Sequence, residues 1–199
     1  CLLSRGLGDV YKRQKKGRFQ YAERLSRAAL GKAGAEAERL HVWIDRWRTE
    51  THGPQASGRD ASAQILEASE GDLAIALTVV PDKPLVVHGT AGISRKGTEN
   101  GQSSHYYSWT NLATRGRLTI GGESFEVTGT SWMDHEFGSA DLSPDLVGWD
   151  WFSLQMADQT EVMLYRLRRA DGSAHPVSSG TFIERDGGAH PLSLSLIHI

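Results

Sequence analysis

The chain has 199 residues, with 22 basic and 24 acidic side chains, a formal net charge of −2 and a single cysteine. That length suits one domain of ordinary size, or one plus part of another. The charge balance gives no support to nucleic-acid binding, and no apolar run approaches the ~18 residues of a membrane span.

The two ends read as one inverted DNA repeat. DVYKRQ (Asp9 to Gln14) can be written GAT GTG TAT AAG AGA CAG, and the reverse complement of that DNA translates as LSLIHI, which is Leu194 to Ile199. SRGLG (Ser4 to Gly8) fits the adjoining adapter bases. This resembles a transposon-end sequencing adapter, so residues 1–14 and 194–199 are expected to be translated scar and are set aside. Cys1 falls in the scar, which leaves no disulfide framework, thiolate metal site or cysteine nucleophile. Removing three basic residues (Arg5, Lys12, Arg13) and one acid (Asp9) takes the net charge from −2 to −4. Both natural termini are then expected to be missing, and a lost signal peptide or lipid anchor would leave membrane association through the N-terminus open.

From Phe19 to Gly31 the sequence predicts a helix. Phe19, Ala22, Leu25, Ala29 and Leu30 approximate a 3.6-residue stripe, and Gly31 suits a stop. Beyond it the pattern turns to strands: HVWIDRW (41–47), a Gly/Pro break at THGPQASG (51–58), then AQILEAS (63–69) and DLAIALTVV (72–80) as a hairpin across Glu70-Gly71. PDKPLVVHG (81–89) reads as a turn and short strand, and residues 90–103 as a glycine-rich loop. HYYSWT (105–110), RLTI (117–120), SFEVTG (124–129) and SWMDHEFG (131–138) follow, with a turn at Gly121-Gly122. GWDWFSLQM (148–156) and EVMLYRLRR (161–169) flank a turn at 157–160, and VSSGTFIER (177–185) is the last strand. About nine short strands and one helix predict an all-β antiparallel fold, closed as a barrel or a two-sheet sandwich to hide its edges.

Successive side chains on a strand face opposite ways. In 148–156 the set Asp150, Phe152, Leu154 and Met156 is more continuously apolar than Trp149, Trp151, Ser153 and Gln155, so it is expected to face the core. Met133, His135 and Phe137 are placed on one face, with Trp132, Asp134 and Glu136 on the other. Met163, Tyr165 and Leu167 share a face, as do His105, Tyr107 and Trp109. The expected inward constellation is His135, Asp150 and Tyr165, set among apolar side chains. Burial there would raise the aspartate pKa and lower that of the histidine, which suits proton transfer. The alternative is a hydrogen-bonded polar pair that only satisfies the core.

Other motifs carry less. Asp134-His135-Glu136 holds one imidazole with no second histidine at a useful spacing, so no metal site is read. HGTAG (88–92) has the look of an oxyanion loop, but GTSWM is not a G-x-S-x-G elbow, and serine hydrolase chemistry is unsupported. No dinucleotide or phosphate-binding glycine motif occurs, so no cofactor is implied. Four tryptophans between 109 and 151 read as core and interface packing.

HYYSWTNLATRGRLTIGG, VTGTSWMDHEFGS, GWDWFSLQMADQTEVMLYRLRRADGS and ERLSRAALGKAG resemble the AttH-like, carotenoid 1,2-hydratase-related family of lipocalin-like proteins, described as secreted hydrolases. The resemblance spans most of residues 19–190. It implies a lipocalin-like antiparallel barrel as the first of two, with residues 15–185 forming that barrel and 186–193 starting the connection to a missing C-terminal one. It also implies export, to the periplasm or as a membrane-anchored lipoprotein. In the hydratases an aspartic acid protonates an isoprenoid double bond beside His, Trp and Tyr. The resemblance carries the histidine onto His135, the tryptophan onto Phe137 and the tyrosine onto Tyr165. The acid falls near Leu167, where no carboxyl stands, and Asp150 is the substitute. Related folds also house pericyclases.

The expectation is therefore a barrel that takes a small apolar isoprenoid or lipidic ligand and hydrates or hydrolyses it by acid–base chemistry. Asp150 would be the acid, His135 its partner and Tyr165 an orienting donor. Tyr107, Trp109, Met133, Phe137, Phe152 and Met163 would line the pocket. The rival is a non-catalytic exported lipid-binding or lipid-handling module. A third reading has Trp149 and Trp151 facing the missing barrel.

Overall fold

The computed structural model describes residues 9–13, 18–52, 63–99, 101–138 and 143–193. Of the expected scar, residues 1–8, 14 and 194–199 lie outside them, as does most of the Gly/Pro break at 51–58, while residues 9–13 lie inside. The described residues form fifteen strands and no helix. In chain order these are β1 (Asp9–Arg13), β2 (Arg18–Ala22), β3 (Ala33–Ala35), β4 (His41–Ile44), β5 (Trp47–His52), β6 (Ala63–Glu70), β7 (Leu73–Pro81), β8 (Val86–Val87), β9 (Ile93–Arg95), β10 (Ser103–Ile120), β11 (Glu123–Phe137), β12 (Leu146–Gln155), β13 (Glu161–Arg169), β14 (Ser179–Ile183) and β15 (Ala189–Ser193). Every registered pairing is antiparallel.

Two expectations are corrected. The N-terminal helix is absent: Arg18–Ala22 pairs with Asp9–Arg13 as a strand, and Glu23–Ala28 has no regular structure. A short helix is marginal unless its apolar stripe is buried. Here Leu25 is 66% exposed and Leu30 fully so, which leaves no packing to hold one. Gly31 does act as a turn residue, at φ 71°. The barrel is also not closed: the strands fall into separate sheets, and no ring of strands is completed among the described residues.

The chain divides into two compact units. The first comprises the described residues up to Val80 together with Ala113–Gly129. Its small core is Ala33, Ile44 and Trp47, with Ala22 and Ala68 against it. The expected strand 41–47 is broken by a tight turn at Asp45, whose φ is 53°. Arg24 braces that turn, reaching Asp45 at 2.5 Å and also pairing with Glu70. The β6–β7 hairpin turns at Gly71 as the sequence indicates. Expected strands 105–110 and 117–120 are one long strand, β10. Gly116 permits this, because a Cβ there would fall 2.1 Å from the Ala76 carbonyl oxygen.

The second unit comprises Pro81–Leu112 and the described residues from Thr130 onward. The first part of β10 pairs with β8 and β9 on the register Tyr107↔Val87 and His105↔Ile93. A four-stranded sheet runs β12-β13-β14-β15. Its core joins Tyr106 of β10 to Met163, Tyr165 and Leu167 of β13, with Trp132, Leu146 and Val177 packed around them. Gln155 ties β12 to its neighbours: its Nε2 donates to Thr110 O at 2.8 Å, and its Oε1 accepts from Thr130 Oγ1 at 2.9 Å.

A buried ion pair anchors this unit. Lys83 Nζ lies 2.7 Å from Glu161 Oε2, with side chains 6% and 0% exposed. Nζ also donates to the carbonyls of Gln159 and Glu184, while Asn111 Nδ2 donates to Glu161 Oε1 at 3.3 Å. Removing one member leaves the other charge buried and unpaired. We therefore expect Lys83→Met to lower stability by about 3–5 kcal/mol in urea denaturation, and Lys83→Met/Glu161→Leu to lose less. A single-variant loss below about 1 kcal/mol would contradict this role for the pair.

Candidate functional site

The site grows from two strands that alternate large aromatic with small or acidic residues. On β10, Ser104, Tyr106, Ser108, Thr110 and Leu112 are buried on the inner face. On β11, Trp132 and Asp134 share that inner face with Glu136, as their contacts with β10 show. His88, just after β8, completes the group.

These side chains form one directed hydrogen-bond chain. Ser108 Oγ donates to Asp134 Oδ1. A serine hydroxyl has one proton, so Ser108 must accept from His88 Nε2, 2.8 Å away. That assignment puts the neutral ring's hydrogen on Nε2 and leaves Nδ1 to accept from Thr181 Oγ1, also at 2.8 Å. Thr181, His88 and Ser108 thus all point their donors towards Asp134. Trp132 Nε1 donates to the same Asp134 Oδ1 at 2.8 Å, and the Tyr106 hydroxyl adds a further hydrogen bond. Trp151 Nε1 in turn donates to Tyr106 Oη at 3.1 Å.

Burial shifts both titrations. His88 and Ser108 are almost wholly inaccessible, and desolvation pushes the imidazole down to about 4. Desolvation also raises the Asp134 pKa, against the hydrogen bonds from Ser108, Trp132 and Tyr106, and the nearby Glu136 charge adds to the rise. Asp134 still keeps solvent contact on one side, so the carboxyl is reachable and partly dehydrated at once. Its Oδ1 accepts from both Ser108 and Trp132. Glu136 is held by Ser104 Oγ and by Lys96 Nζ, each at 2.6 Å. Lys96 also lies over the rings of Tyr106 and Tyr165, at 5.3 and 4.3 Å.

The expected constellation does not assemble. His135 lies on the outer face of β11, stacked on Tyr107 with centroids 4.9 Å apart and edge-on to Phe137 at 5.0 Å. Asp150 is on the outer face of β12, beside Arg168 at 3.3 Å and Arg166 at 4.0 Å. Tyr165 alone faces inward, its hydroxyl donating towards Val177 O at 3.2 Å or Arg95 O at 3.3 Å. Of the expected lining, Tyr107, Trp109, Met133 and Phe137 alternate with the buried residues and so lie on the outer face. Phe152 is exposed on the outer face of β12, and Met163 is sealed in the core. The parity error has a physical origin: on β11 and β12 the outward residues are the greasier ones, while the inward Trp132, Asp134, Trp151 and Gln155 all carry polar ends. Among the described residues, no three His, Cys, Asp or Glu side chains converge as a metal site would require.

A model of the AttH-like family matches residues 10–199. The chain belongs to the AttH-like family. The crystal structure of an AttH protein from Nitrosomonas europaea superposes with a TM-score of 0.78 at 28% identity, over 90% of this chain and 53% of that one. Kievitone hydratase from Nectria haematococca superposes at 0.66 with 13% identity, over 90% of this chain and 52% of its own, a likeness of fold alone. This AttH-like chain therefore spans about half the length of both solved structures. No curated protein sequence matches it.

The His88 shift has a consequence for stability. A histidine whose folded pKa lies below its unfolded 6.5 contributes stability that is fully present above 6.5 and is lost as pH falls towards about 4. We expect that window to cost roughly 3 kcal/mol, and His88→Gln to flatten it in urea titrations at stepped pH. An unchanged pH profile in His88→Gln would show that this ring is not buried neutral.

Proposed function

We propose that the second unit binds an apolar, unsaturated ligand and that Asp134 acts as a general acid in adding water to its double bond. The observation that carries this reading is a reachable carboxyl whose pKa is raised by burial while its Oδ1 is fixed by donors. Oδ2 gives its proton to one alkene carbon, forming a C–H bond and leaving positive charge on the other carbon. Water adds to that carbon, and the proton it sheds returns to the Asp134 carboxylate, so the acid is regenerated. An acid whose proton is more weakly held in water than in its partly dehydrated site, and whose pKa is therefore raised, suits alkene protonation. The indoles of Trp132 and Trp151, 6.4 Å apart and edge-to-face, supply an apolar wall beside it. The fold is shared with a protein named as a hydratase, and the ligand is expected to be isoprenoid or lipidic.

Ester or amide hydrolysis by Ser108 fits less well. Its Oγ is 0% exposed and spends its proton on Asp134 rather than on His88. A nucleophile needs the reverse polarity and an open face.

Turnover should fall by at least ~10²-fold in Asp134→Asn, with apolar-ligand binding, read by tryptophan quenching, retained. His135→Gln and Asp150→Asn should keep activity near the unmodified level. Rate should decline as pH rises through the Asp134 pKa, because the protonated form is the reactive one. Ligand binding with no turnover in any form of the protein would instead favour an exported lipid-binding module, and full activity in Asp134→Asn would remove the acid assignment.

A further inference from the structure

The four-stranded sheet β12–β15 carries apolar rows on both faces. Its inner face carries Met163, Tyr165 and Leu167. Residues paired directly across antiparallel strands share a face, so the register also fixes the outer rows. Phe152 pairs with Leu164 and, through Gly180, with Leu192; Leu154 pairs with Val162, then Phe182 and, at the sheet edge, His190. Leu164 lies across Gly180, where a Cβ would fall 2.4 Å from Leu164 Cδ2, so the first row is continuous. Phe152 is 52% exposed, Leu154 43% and the adjoining Met156 44%. Beyond Phe152 the face turns charged, with Asp150 between Arg166 and Arg168. An apolar centre with a charged margin is the anatomy of an interface, and an antiparallel sheet with one face in water normally turns polar residues to that face. The rings on the outer face of β10 and β11 differ, because His105, Tyr107, His135 and Phe137 pack on one another.

We propose that this outer face is the docking surface for a further domain of the same polypeptide. The choice of occupant rests on length: the AttH protein and the kievitone hydratase each extend over nearly as much chain again as the part matched here. A segment of that size, tethered to the sheet, meets it at high effective concentration and needs little intrinsic affinity.

Cysteine labelling makes the test direct. In backgrounds freed of other cysteines (Cys1→Ser in the 199-residue chain, and every native cysteine replaced by serine in the complete product of its gene), Leu154→Cys is labelled with a maleimide, with Arg166→Cys at the charged margin as the comparison site. We expect fast labelling of Leu154→Cys in the 199-residue chain and at least ~10-fold slower labelling in the complete product, with Arg166→Cys changing less. Equal rates for Leu154→Cys in both would overturn the proposal, as would a gene that encodes no further domain. Protection already present in the 199-residue chain, with a doubled mass in solution, would assign the face to a second copy instead and equally overturn it.

Discussion

The second unit is organised around hydrogen bonds that run one way. Thr181, His88 and Ser108 each spend a donor on the next group, and the last donor meets Asp134 Oδ1. The direction follows from counting protons on a hydroxyl and an imidazole, and it explains why a histidine can lie buried there without charge. It also explains the small residues on the inner face of β10. Ser108 and Thr110, neither exposed at all, leave room for the ring of His88 and the carboxylate of Glu161 respectively. Bulkier residues at those positions would fill the same space with hydrocarbon and leave both polar groups without partners.

Two polar clusters of opposite character thus lie in one unit. Lys83 and Glu161 are a closed pair, with every strong contact satisfied inside the protein and no face left for chemistry. Asp134 is open on one side, and its nearest charged neighbour, Glu136, is itself engaged by Lys96. The closed pair is suited to holding strands together. The open carboxyl is suited to exchanging a proton with something that arrives from outside.

Much of the architecture was legible in the sequence, and the site much less so. Alternation and the glycine turns announced an antiparallel all-β chain, and the hairpin at Glu70-Gly71 falls where expected. Facing was readable on β13, where Arg166 and Arg168 alternate with buried Leu167, Tyr165 and Met163 and only one side can be wet. It was not readable on β11 and β12. There the outward residues are apolar and stack on one another or lie exposed, and the inward ones carry the polar ends that the hydrogen-bond network needs. The helix failed for a related reason: periodicity reports a capacity to form a stripe, and Leu25 and Leu30 find nothing to bury against. His88 was visible in HGTAG, but its value depends on Ser108 and Thr181, which stand 20 and 93 residues further along the chain.

The most direct measurement is the titration of Asp134 itself, followed by NMR of its carboxyl carbon in selectively labelled protein. We expect a pKa above the ordinary 3.8, rising further in Ser108→Ala as the carboxylate loses a donor. A carboxyl that titrates at or below 3.8, unmoved by the loss of Ser108, would contradict the assignment of Asp134 as a buried-side acid poised by this network.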